Sequence, residues 1–139
     1  MYVPPPALNL VVIRSADIRR ARAFYLEMGL SIRREAHGAG PDHYVAVVCG
    51  LVFEIYPLAA GQPPTTGTRL GFQVEAIDEL VPALVKAGGA IVTAPRDVAG
   101  GRHAVITDPD GHRVELFTPS GGHKVQPYLG QREPPPDKE

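Results

Sequence analysis

Apolar positions follow two rhythms along the chain, and the order of those rhythms repeats. Residues 8–13 (LNLVVI) form a short β-branched run that predicts a strand. The segment SADIRRARAFYLEMGL that follows carries Ile18, Ala21, Tyr25 and Met28 at the spacing of one helical face. Ser15 or Asp17 can cap the start of that helix by accepting a backbone N–H, and Gly29 suits the left-handed residue that ends one. Residues 30–34, 44–49 and 51–56 then predict strands, with the turn-rich HGAGPD between the first two.

The second half repeats this order. Residues 69–74 (RLGFQV) predict a strand, and Ile77, Leu80, Val81, Leu84 and Ala87 form an apolar helical stripe that stops at Gly88 and Gly89. Pro82 lacks an N–H, so either the helix proper begins near Glu79 with Pro82 in its first turn, or the helix bends there. Residues 90–93, 103–107 and 113–117 predict three more strands, the last two joined by the turn DPDG. Ile18 matches Ile77 and Gly29 matches Gly88 at one common offset, while Glu54 matches Glu115 at an offset longer by two, as one insertion in a turn would produce. The chain is an internal duplication.

These elements predict an α+β fold of two βαβββ modules in tandem, each a mixed four-stranded sheet with one helix. The expected boundaries are 1–6 for an N-terminal extension, 7–58 and 68–119 for the modules, 59–67 for a Pro/Gly/Thr linker and 120–139 for a C-terminal tail, within one domain overall. The tail is rich in Pro and charge and is expected to be partly disordered, because it cannot offset its ordering entropy by burial.

Composition narrows the chemistry. Fourteen basic against fifteen acidic residues leave a net charge of -1, without the basic excess that a phosphate backbone demands, so nucleic acid is excluded as the expected partner. No apolar run approaches bilayer length and no charged segment precedes an apolar leader, so a cytoplasmic protein without a membrane partner is expected. Cys49 stands alone in VAVVCGLVF, where a buried inert thiol is the expectation. Neither the glycine pattern of a nucleotide-binding loop nor a nucleophile elbow occurs.

Two strands each carry one acid among apolar residues, LVFEIYP with Glu54 and HRVELFTP with Glu115. Alternation sets Val52, Glu54 and Tyr56 on one strand face, and Arg113, Glu115 and Phe117 on another. The two modules, the segment SADIRRARAFYLEMGL, and DPDGHRVEL followed by an aromatic and a Pro together resemble the vicinal oxygen chelate superfamily over roughly residues 7–119. That superfamily holds glyoxalase I, extradiol dioxygenases, fosfomycin resistance proteins and bleomycin resistance proteins. The resemblance implies sheets that curl around a cleft, often with modules exchanged or shared across a homodimer.

In the metal-dependent members a divalent cation is held by a His or Gln on the first strand of each module and a Glu on the last. By position Glu54 and Glu115 match the Glu sites, while the first-strand sites fall at Leu10 and Arg69. Leucine has no lone pair, and a guanidinium is a permanent cation with no acceptor. If the first-strand register is shifted by one, Asn9 occupies the site with a weak amide oxygen ligand.

Arg69 suggests a sharper idea, in which its guanidinium stands where a metal would and neutralises both Glu54 and Glu115. His43 and His103 open or occupy strands and can face the cleft, Leu10, Tyr56 and Phe117 complete the candidate ligand cavity with Arg69, and His37, His112 and His123 are expected to be solvated. The leading expectation is a small-molecule-binding protein of this superfamily without a complete metal site, as the bleomycin resistance proteins sequester a drug without metal. The alternative is a metal-dependent glyoxalase-type lyase, with Ni, Zn, Mn or Fe on Glu54, Glu115 and a third ligand from Asn9, His43 or His103. A dimerisation or accessory module is the third reading.

Overall fold

The structure is a computed structural model, and it describes residues 1–121. The expected tail and His123 lie outside the described residues except for Ser120 and Gly121. The chain runs β1 (Leu10–Ser15), α1 (Ile18–Met28), β2 (Ile32–Glu35), β3 (His43–Val48), β4 (Leu51–Pro57), β5 (Arg69–Gln73), α2 (Ile77–Lys86), β6 (Ala90–Val98), β7 (Gly101–Thr107) and β8 (Arg113–Pro119). The order is βαβββ twice over, in two four-stranded sheets ordered β1-β4-β3-β2 and β5-β8-β7-β6. In each sheet the module's first and last strands pair in parallel and the other pairs are antiparallel.

Asp17 caps α1 by accepting from the Arg20 N–H at 3.2 Å, and Gly29, at φ 107, ends it. In α2 Pro82 lies inside the helix rather than in its first turn, and it cannot donate to the Asp78 carbonyl. Two expectations need correction. β6 is nine residues long and continues through Pro95, which an edge strand tolerates, with register shifts that absorb the irregularity. Cys49 is exposed, not buried, because it and Gly50 form the two-residue hairpin turn between β3 and β4, at φ 48 and 82. The apolar residues on both sides hide that turn.

α1 packs on β1, β3 and β4, α2 packs on β6, β7 and β8, and the two helices touch. One core therefore spans both modules: Ile13, Phe24, Tyr25 and Phe53 of the first module pack in one cluster with Leu84, Ile106 and Leu116 of the second. Tyr25 and Phe53 also reach Phe72 across the module boundary, with ring centroids 6.4 and 6.3 Å apart. The helix-facing side of each sheet is spent on this core. Its other side, the outer face, is free for chemistry.

Candidate functional site

Strand register fixes what each outer face presents. Leu10, Val12 and Arg14 of β1 pair with Val52, Glu54 and Tyr56 of β4, so Leu10 and not Asn9 shares the Glu54 face. Val45 lies across Glu54 on β3, and His43 opens β3 beside Tyr56. The His43 and Tyr56 rings stack with centroids 4.1 Å apart and planes 11° apart. On the second sheet Gly71 and Val105 flank Glu115, and Gln73 and His103 flank Phe117. Each module thus repeats a Glu, an aromatic two residues later and a His across the strand from it: Glu54, Tyr56, His43 and Glu115, Phe117, His103.

A cavity of about 510 Å³ opens on the first outer face. Val12, Arg14, Glu54 and Tyr56 come from the sheet, and Pro41 and Gln62 come from the loops around it. Arg14 donates to the Gln62 side-chain oxygen at 2.9 Å, so the linker fastens the cavity's cation in place. The Tyr56 phenol titrates above a free tyrosine, first because it is desolvated and next because the negative Glu54 carboxylate stands beside it. The cavity therefore offers an anion, a fixed cation, a protonated phenol and apolar wall within the size range of small-molecule sites.

The remaining candidates are placed elsewhere. Leu10 is half exposed on the first outer face. Arg69 and Glu115 form an ion pair at 2.7 Å on the second. Phe117 and His103 share that second face, with the His103 Nδ1 buried and without a hydrogen-bond partner among the described residues. Within one chain Arg69 pairs with Glu115, while Glu54 makes no ion pair among the described residues. Within one chain the two acids stand on different sheets.

His112 is not solvated as expected but fully buried. Its Nδ1 lies 2.8 Å from Asp108 Oδ2 and its Nε2 lies 2.6 Å from Thr65 Oγ1. Tyr25 donates its hydroxyl to the same Asp108 oxygen at 2.7 Å, and the backbone N–H groups of Asp110, Gly111 and His112 donate to Asp108 Oδ1. Asp108, Asp110 and His112 lie close enough to hold an ion, but every Asp108 and His112 acceptor or donor there is already used. The group ties α1, the turn and the linker together.

Of the four positions that the resemblance assigns to a metal, only Glu54 and Glu115 carry a side chain that can donate to a cation. Leu10 has nothing to donate, Arg69 supplies a competing cation, and neither Glu54 nor Glu115 belongs to a cluster of three or more potential ligands among the described residues. Sequence reasoning passed over Arg14 and Gln62. Arg14 was findable as the residue four beyond Leu10 on the same strand face, whereas no local pattern signals Gln62.

Two βαβββ modules, each a mixed four-stranded sheet with one helix, define a glyoxalase/bleomycin-resistance-like α+β architecture. The model of the Glyoxalase/Bleomycin resistance protein/Dioxygenase superfamily matches residues 7–116, and the chain belongs to that superfamily. An uncharacterized protein of Mycolicibacterium smegmatis is 25% identical over 112 residues, which are 81% of this chain and 93% of that one. Among solved structures, TnmS3, an antibiotic binding protein from Streptomyces sp. CB03234, superposes with a TM-score of 0.67 at 23% identity, covering 86% of this chain and 100% of its own. A glyoxalase/bleomycin resistance protein/dioxygenase family enzyme from Burkholderia phytofirmans PsJN superposes at 0.66 with 22% identity, covering 81% and 98%. At these identities the structural likeness speaks for the fold. No helix among the described residues is long and apolar enough to cross a membrane.

Proposed function

We propose that this protein binds a small organic molecule at the first outer face without a metal at the superfamily's positions. The observation that carries the reading is the cavity of about 510 Å³ in which Glu54, Arg14 and Tyr56 converge beside apolar wall. The ligand that fits is planar and largely apolar, with a donor or cation for Glu54 and an acceptor for Arg14. The likeness to an antibiotic binding protein supports that ligand class.

A homodimer completes the site in this reading. Leu10, Val12 and Val47 expose apolar surface on the first outer face, and each sheet leaves two strand edges. A second copy that lays its second outer face over the first would set Arg69 and Glu115 opposite Glu54, converting two half-sites into one enclosed cleft.

The test is a thermal-shift and calorimetric screen of planar antibiotic-like molecules in EDTA, with sedimentation to fix the oligomer. Stabilisation that survives EDTA and is lost in Glu54→Ala and Tyr56→Ala supports the reading. Binding that needs added metal, or metal-dependent turnover of the methylglyoxal–glutathione adduct, overturns it in favour of the lyase.

A further inference from the structure

The hairpin from β2 to β3 carries three metal-ligating side chains in the short sequence EAHGAGPDH: Glu35, His37 and His43. Glu35 and His43 are directly opposite each other in the β2–β3 register, and the turn begun at His37, closed by the Gly40 N–H on the His37 carbonyl, returns that imidazole over them. Glu35 Oε2 lies 3.4 Å from His37 Nε2 and 3.6 Å from His43 Nε2. Four ligands at about 2.0–2.1 Å around a tetrahedral zinc stand about 3.4 Å apart, so both separations match edges of that polyhedron.

His43 supplies the independent sign that something belongs there. The residue is 1% exposed, and its Nε2 is buried with no hydrogen-bond partner among the described residues. Its Nδ1 faces the Pro41 carbonyl at 3.2 Å, and a carbonyl can only accept, so Nδ1 carries a proton and, in the neutral imidazole, the Nε2 lone pair points at Glu35. This is the arrangement by which an outer carbonyl orients a metal-binding imidazole. Arg33 donates to the other Glu35 oxygen at 2.9 Å, and the Tyr56 ring stacks on His43, so two of the three ligands are held before any ion arrives. An unpaired buried lone pair is costly, and a cation would remove that cost.

We propose that Glu35, His37 and His43 form a divalent transition-metal site, best suited to zinc, on the β2–β3 hairpin, with a fourth position open to water or a ligand atom. Two imidazoles and one carboxylate are a borderline-soft donor set that selects zinc, cobalt or nickel over magnesium and calcium. The second module has no counterpart, because Arg96 stands opposite His103 where Glu35 stands opposite His43. The site is separate from the positions of Leu10, Glu54, Arg69 and Glu115, and it does not depend on the cavity reading. It does share a wall with the cavity through Pro41 and Tyr56.

The test uses the untagged full chain, stripped with EDTA and equilibrated with zinc or cobalt. One equivalent of bound metal per chain is expected, with the strong visible bands of tetrahedral cobalt. His37→Ala changes a ring that is 72% exposed and leaves the core intact, and it should weaken binding by at least about 100-fold, because loss of even an outer-shell partner costs roughly 10- to 100-fold. Glu35→Gln should weaken it comparably, while Glu54→Gln should retain the metal. Absence of stoichiometric binding in the parent chain, undiminished binding in His37→Ala and Glu35→Gln, or loss confined to Glu54→Gln would each overturn the proposal. Small-molecule binding in EDTA is read separately, so either proposal can fail alone.

Discussion

Replacing Tyr25 by Phe removes one oxygen from the buried polar group around Asp108 and His112. The Tyr25 hydroxyl is buried and donates at 2.7 Å to an Asp108 carboxylate that is itself 2% exposed. Burial alone would raise the Asp108 carboxyl, but hydrogen bonds from His112 and Tyr25 and the His112 charge outweigh it, and the carboxyl titrates below its usual range. Burial, and then the Asp108 charge, push the Tyr25 phenol well above its usual value, so at neutral pH the phenol is the donor and the carboxylate the acceptor.

A hydrogen bond to a charged group contributes about 1.5–3 kcal/mol, and Phe leaves the packing of the ring intact, so Tyr25→Phe should cost about that much. Urea unfolding followed by far-UV circular dichroism, at fixed protein concentration, should show the midpoint falling by about 1 M with unchanged slope, for a slope of about 1–3 kcal/mol/M. The sign of the pH dependence follows from the lowered carboxyl. Its contribution is complete above the unfolded-state value of about 3.9 and is lost as pH falls through the lower folded value, so wild type and variant should converge in acid. A loss below about 0.5 kcal/mol at pH 7, the range of a surface substitution, would refute the reasoning, as would a gap that widens in acid.

Two further outcomes follow from the same geometry. A Cβ added at Gly101 would collide with the Thr118 carbonyl oxygen and lie 3.0 Å from the Phe117 ring, so Gly101→Ala should destabilise by at least about 1–3 kcal/mol, as overpacking does, and an unchanged melting temperature would contradict the β7–β8 register. Leu10→His with Arg69→His restores imidazoles at the first-strand positions. In a His37→Ala background that double variant should gain divalent-metal binding in calorimetry with nickel or zinc, and failure to do so would remove the donor-set argument for a metal-free face.

Much of this architecture was legible before any coordinates. Helical stripes ending at Gly29 and Gly88, and alternating strands carrying Glu54 and Glu115, recover the element order, because periodicity reports backbone geometry and is local. Boundaries were weaker where local signals mislead, as at Cys49, a turn residue set among valines, and at β6, where Pro95 reads as a strand end yet sits on an edge. The site was legible only in part. Glu54 and Tyr56 do line a cavity, but its cation is Arg14, held by Gln62, and Arg69 belongs to Glu115.

By itself, then, the sequence determined two βαβββ modules, their superfamily and the residue sets sharing each strand face, since these follow from short-range spacing. The tertiary structure alone decided which distant groups meet. Tyr25 reaches Asp108 across 83 residues, the linker delivers Thr65 to His112, and a hairpin sets Glu35 against His43. Such meetings depend on sheet register and on the path of loops, and a strand's alternation says which side a side chain takes without saying what will stand across from it.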